Sequence, residues 1–139
     1  MRPRAATLDY RQRSRILIVE DEPMLAFTVE DLLVEAGFGI AGVVGRLPAA
    51  LKVIEGGGCD AAIVDANLAG VSASPAAAAL AARGIPFIVL SGYLPEQQQG
   101  NFSGAIFIQK PCRPEQIIQA LSALLLNAKI IGNPSRSDC

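Results

Sequence analysis

The stretch that decides the fold is Arg15-Ile16-Leu17-Ile18-Val19-Glu20-Asp21-Glu22-Pro23. Four apolar residues in succession, with no polar alternation, are the pattern of a strand covered on both faces. Three acidic residues then interrupt the run, and Pro23 suits the first turn of a helix. From Met24 to Ala36 the apolar positions Leu25, Val29, Leu32, Leu33 and Ala36 recur at helical spacing, and Gly37 ends the segment. Strand, acidic turn and amphipathic helix make one β-α unit.

The same unit recurs along the chain. Ile40–Val44 reads as a strand and Pro48–Ile54 as a helix closed by Gly56-Gly57-Gly58. Ala61–Val64 is a strand that ends at Asp65, followed by a loop over Asn67–Ser74 and an Ala-rich helix over Pro75–Ala82. Pro86–Leu90 and Ala105–Ile108 are two more strands, separated by a polar, Gln-rich stretch over Pro95–Ser103 that predicts a short helix at best. The last helix is expected from Pro114 to about Leu126. Strands alternating with helices predict an α/β fold with a parallel sheet covered on both faces. Five strands in so short a chain predict the flavodoxin-like doubly wound (βα)5 arrangement with strand order 2-1-3-4-5. The domain is expected over residues 14–128, with a basic tail over 1–13 and a polar tail over 129–139.

Composition removes most function classes. The 139 residues include no His and no Trp, which excludes imidazole catalysis and His-ligated metal. Cys59, Cys112 and Cys139 form no paired motif, so neither a disulfide framework nor a zinc site is predicted. A formal charge of −1 argues against a nucleic-acid partner. Residues 1–15 nevertheless carry Arg2, Arg4, Arg11, Arg13 and Arg15 against Asp9, and are read as a solvated basic arm. No segment has the length and apolarity of a membrane span, so a soluble, cytoplasmic protein is expected, a monomer or weak dimer.

In parallel sheets of this kind function collects beyond the carboxyl ends of the strands. Those ends carry Glu20 and Asp21, then Asp65, then Ser91, then Lys110. Three carboxylates on one edge repel one another unless a cation sits among them, and hard oxygen ligands with room for water describe Mg²⁺. Beside them an ammonium and a hydroxyl suit a phosphoryl group, and a carboxylate such as Asp65 can form an acyl phosphate. A lysine at a strand end can keep its charge in water, so the loss of Lys110 is expected to cost little stability.

Together, Ile16-Leu17-Ile18-Val19-Glu20-Asp21-Glu22, Ala62-Ile63-Val64-Asp65, Val89-Leu90-Ser91-Gly92 and Gln109-Lys110-Pro111 make the chain resemble the receiver domain of bacterial two-component response regulators. The resemblance implies a stand-alone phosphoprotein switch in two-component signal transduction or a phosphorelay. Asp65 would be the phosphoacceptor, and Glu20, Asp21 and Asp65, with the backbone carbonyl of Asn67, would hold Mg²⁺. Ser91 and Lys110 would bind the phosphoryl group, and Ser91, Phe107 and Tyr93 would form the switch; from its place two residues beyond Ser91, Tyr93 is expected to shield the acyl phosphate. The Lys110–Pro111 peptide would be cis. Ser91-Gly92-Tyr93 is similar to part of a Phe-Ala-Thr-Gly-x-Tyr motif found in single-domain regulators. The expected partners are a sensor histidine kinase or phosphotransfer protein upstream and a protein target downstream. Such a chain modifies itself and turns over no separate substrate, so it is expected not to be an enzyme. The competing reading is a receiver-like module that binds its partner without phosphorylation.

Overall fold

The computed structural model describes residues 14–92, 102 and 105–138, with side chains up to residue 126. Five parallel strands carry the fold: β1 (Arg15–Val19), β2 (Gly39–Val44), β3 (Ala61–Asp65), β6 (Phe87–Ser91) and β7 (Ile106–Gln109). They lie in the order β2-β1-β3-β6-β7. Counted along the sheet-forming strands alone, that is 2-1-3-4-5. Four helices flank the sheet among the described residues: α1 (Pro23–Glu35), α2 (Leu47–Glu55), α3 (Ser74–Ala82) and α4 (Pro114–Asp138).

The missing polar alternation in the strands has a direct cause. In β1, Leu17 and Val19 point into a core formed with α2 and α3, whereas Ile16 and Ile18 point into a second core formed with α1 and α4. Central strands β3 and β6 divide their residues in the same way, so both faces must be apolar. On one side the packing uses small side chains, Ala50, Ala73, Ala76 and Ala77 with Ile54 and Leu80. Larger residues, Val29, Leu33, Ile117 and Leu121, fill the other side.

Helix ends follow their glycines. The N–H of Gly37 donates to the carbonyl of Val34 at 3.0 Å and that of Phe38 to Leu33 at 3.0 Å, with Gly37 at φ 97°. This double closure needs a left-handed residue after the cap, which glycine adopts without a Cβ clash. α3 closes identically through Gly84 and Ile85.

Two segments differ from the sequence-based expectation. The stretch Asn67–Ser74 holds a hairpin, β4 (Asn67–Leu68) against β5 (Val71–Ser72). Its two turn residues, Ala69 at φ 54° and Gly70 at φ 90°, give the mirror-image turn that matches strand twist. Alanine rarely occupies that conformation, so the usual Asn-Gly signal was missing. The second difference is α4, which continues to Asp138 where a polar tail is expected from residue 129. Extending a formed helix is far easier than starting one, and residues 127–131 include no glycine or proline, but nothing in the structure explains how the helix passes Gly132 and Pro134. The basic arm (1–13) and almost all of the Gln-rich stretch lie outside the described residues.

Candidate functional site

Three backbone hydrogen bonds just past the strand ends fix the frame of the site. Glu20 N–H donates to Val44 O at 2.9 Å, Ala66 N–H to Leu90 O at 2.8 Å, and Lys110 N–H to Ser91 O at 2.7 Å. Each continues a strand ladder by one bond, so Glu20, Asp65, Ser91 and Lys110 leave the sheet side by side. Parallel register makes them neighbours, because Asp65 pairs with Leu90 and Ser91 with Gln109.

Their side chains converge. The Lys110 ammonium donates to Asp65 Oδ2 at 2.8 Å and lies 3.3 Å from Glu20 Oε1. The other Asp65 oxygen accepts from the Asn67 N–H at 3.1 Å, and Glu20 Oε2 accepts from the Glu22 N–H at 3.0 Å. Glu20 and Asp65 are buried, at 4% and 5% exposure, and Ser91 is buried too, whereas Asp21 is open to solvent. Structure therefore departs from the expectation that Lys110 stands in water: its side chain is 24% exposed and serves two buried carboxylates.

The electrostatics follow from that crowding. Burial, then the neighbouring Asp65 carboxyl, push the Glu20 carboxyl up to about 7, against the pull of the Glu22 N–H and Lys110. For Lys110, burial disfavours the charge, but the Asp65 hydrogen bond and the two carboxylates outweigh it and hold the ammonium above its ordinary value.

One ammonium against three carboxylates leaves the site negative. Glu20, Asp21 and Asp65 each bring an oxygen within 4.8 Å of the others. Glu20 Oε1 is buried, close to Lys110 yet without a hydrogen-bond partner. A small, hard dication satisfies that oxygen and the excess charge together, so the donor set fits Mg²⁺. On the open side, a cleft of ≈ 390 Å³ lined by Glu22, Leu25, Lys110, Pro111 and Cys112 leads to the ammonium.

The remaining candidates divide. Asn67 opens β4, its backbone next to Asp65; its side-chain oxygen accepts from the Gly70 N–H at 2.7 Å and so braces the hairpin. Phe107 is half-buried on β7 opposite Val89, packed edge-to-face on Phe102 with ring centroids 6.0 Å apart. Phe102 had no signal in the sequence, being a single apolar residue in a polar stretch. The Lys110–Pro111 peptide is cis. Tyr93 lies outside the described residues. Cys59 and Cys112 are free thiols, and burial raises the pKa of both, the reverse of an activated nucleophile.

An acidic cluster around one lysine, at the carboxyl edge of a doubly wound parallel sheet, is chemically suited to a metal ion and a phosphoryl group. Residues 16–122 match the response regulator receiver domain family, and the chain belongs to it. It is similar to SdrG from Sphingomonas melonis Fr1, with 42% identity and a TM-score of 0.68, over 81% of this chain and 96% of that one. A response regulator receiver protein from Sinorhizobium medicae WSM419 shares 25% identity at a TM-score of 0.70, over 81% of this chain and 94% of the other. PhyR from Brucella abortus, at 22% identity and a TM-score of 0.77, shares the fold over 91% of this chain and 53% of its own length. No curated protein matches the chain. Receiver domains act in two-component signalling as phosphorylation switches and bind Mg²⁺ in the acidic pocket. No described helix is long and apolar enough to cross a membrane.

Proposed function

We propose that this chain is a phosphoaspartate switch in which Asp65 takes a phosphoryl group from a phosphohistidine donor, a sensor histidine kinase or a phosphotransfer protein. The observation that carries the reading is the shared Lys110 ammonium, 2.8 Å from Asp65 and 3.3 Å from a Glu20 oxygen left without a hydrogen bond. Such a pocket has a cation-shaped deficit of charge beside a held nucleophile.

In the transfer, an Asp65 oxygen bonds to phosphorus as the P–N bond of the donor breaks, and the imidazole keeps the electron pair. Lys110 neutralises the arriving phosphoryl oxygens, and the Ser91 hydroxyl donates to one of them. Glu20, Asp21 and Asp65, with the Asn67 carbonyl, would hold Mg²⁺, which supplies charge neutralisation for the transferring group. Met24 and Phe27 stand 74% and 68% exposed at the start of α1, directly beyond the acidic turn, which favours a protein donor.

Phosphorylation would then draw the Ser91 segment toward Asp65 and let Phe107 repack, changing the affinity for a protein target. Tyr93, two residues beyond Ser91, would shield the acyl phosphate from water. The chain acts on itself and on partners rather than on a substrate it turns over, in the cytoplasm, as a monomer or weak dimer.

The test is intact-mass spectrometry after incubation with acetyl phosphate and Mg²⁺. One added phosphoryl group is expected, absent when EDTA replaces Mg²⁺. Equal labelling in EDTA overturns the metal-assisted reading, and no labelling by either acetyl phosphate or a phosphorylated kinase overturns the switch.

A further inference from the structure

Away from the phosphoacceptor edge, a groove of ≈ 370 Å³ runs between the second half of α1 and the first turns of α4. Its floor is Leu32, Ala36 and Ile118, and Glu35, Glu115 and Gln119 form its polar margins. Both glutamates are exposed, and neither has an ion-pair partner among the described residues. No lysine or arginine lines the groove among the described residues.

We propose that the basic N-terminal arm, residues 1–13, docks in this groove of its own chain, seating Leu8 and Tyr10 on the apolar floor and Arg11 and Arg13 against the acidic margin. Three observations support this occupant. Charge is complementary: Arg2, Arg4, Arg11 and Arg13 stand against Asp9 in the arm, whereas the groove carries two carboxylates without an ion-pair partner among the described residues. The arm holds two large apolar side chains, Leu8 and Tyr10, directly before its Arg11-Gln12-Arg13 run. Its root is close to the groove, because the Ser14 carbonyl accepts from the Gly39 N–H at 2.9 Å, and Ala36 precedes Gly39 by three residues. At about 3.3 Å per extended residue, the four steps from Ser14 to Tyr10 span roughly 13 Å, enough to lay the ring along the end of α1.

Tethering makes the contact intramolecular, so even weak complementarity is enough to hold it. A docked arm straps α1 to α4, the helices that begin just after Asp21 and Lys110. It also withdraws that flank from other proteins.

The test uses the full chain in solution. Nuclear Overhauser contacts are expected between the Tyr10 ring and the methyl groups of Leu32 and Ile118. Arg11→Glu/Arg13→Glu should abolish them and shift the amides of residues 32–36 and 115–119. Adding Glu35→Arg/Glu115→Arg should restore at least half of the lost contact intensity. Absence of the contacts, or groove amides unmoved by the charge reversal, overturns the proposal. So does contact seen only between differently labelled copies in a mixed sample, which assigns the groove to a second molecule.

Discussion

The two edges of one sheet treat charge in opposite ways. At the amino edge, Arg15 N–H donates to Asp60 Oδ2 at 2.7 Å, Asp60 N–H returns a bond to the Arg15 carbonyl at 2.7 Å, and the Arg15 guanidinium donates to Ile40 O at 3.4 Å. The carboxylate meets a backbone N–H and the guanidinium a backbone carbonyl, both side chains are exposed, and the bonds tie β1 to its neighbours. At the carboxyl edge, Glu20 and Asp65 are buried, share one ammonium, and leave a carboxylate oxygen without a hydrogen bond. Water solvates the first edge; at the second, Lys110 and the N–H groups of Glu22 and Asn67 offset only part of the buried charge. A fold optimised only for stability would not keep such a cluster, since buried charge is costly unless fully paired. The lesson is that exposed polar groups at the amino edge bond to backbone and hold strands together, while buried charge at the carboxyl edge is left only partly compensated.

The sharpest way to break this contrast is to make one substitution at both edges. Asp65→Asn should abolish phosphoryl incorporation from acetyl phosphate, whereas Asp60→Asn should label like the parent, as read by intact mass. Equal loss in both would mean that the edges are not functionally distinct.

Lys110→Ala comes next. It strands two buried carboxylates, and the metal-free protein should lose about 3 kcal/mol near neutral pH, read from urea unfolding. Excess Mg²⁺ should recover part of that loss. A change below about 0.5 kcal/mol would place Lys110 in water after all.

Titration gives a smaller effect with a defined sign. A carboxyl raised in the folded state contributes stability that is complete below its unfolded value of 4.5 and is lost as pH rises through about 7. The metal-free parent should therefore fall relative to Glu20→Gln by on the order of 2–3 kcal/mol between about pH 4.5 and pH 8. Mg²⁺ should flatten the difference, because a bound cation favours the ionised form. Parallel curves for the two proteins would remove Glu20 as the strained group.

The smallest effect belongs to the amino edge. Asp60→Ala removes one exposed hydrogen bond to Arg15 and should cost about 1 kcal/mol, independent of Mg²⁺. A loss as large as that of Lys110→Ala would erase the contrast between the edges.

Much of this was legible in the chain because burial on both faces leaves a plain mark. Ile16–Val19, Ile63-Val64 and Ile88–Leu90 are apolar without alternation, since each strand feeds two cores. The glycine at 37 announced the end of α1, because few other residues take a left-handed turn. The hairpin after Asp65 was not legible. Its turn rests on Ala69 at φ 54°, held there by the pairing of Asn67 with Ser72 and Leu68 with Val71 and by the Asn67 side chain on the Gly70 N–H. Phe102 was equally silent, because its worth lies in an edge-to-face contact with Phe107, five residues away in sequence.

By itself the sequence determined the alternation of strands and helices and which side chains end the strands. Those properties follow from local apolar pattern and turn chemistry, which act over a few residues. Tertiary structure alone decided that Lys110, 45 residues from Asp65, lies within 2.8 Å of it, and that Glu20 is buried with one oxygen unmatched while Asp21 beside it is exposed. Such facts depend on parallel register and on the depth at which a side chain leaves the sheet. Charge is long-ranged and burial is collective, so neither is encoded in any single stretch of chain.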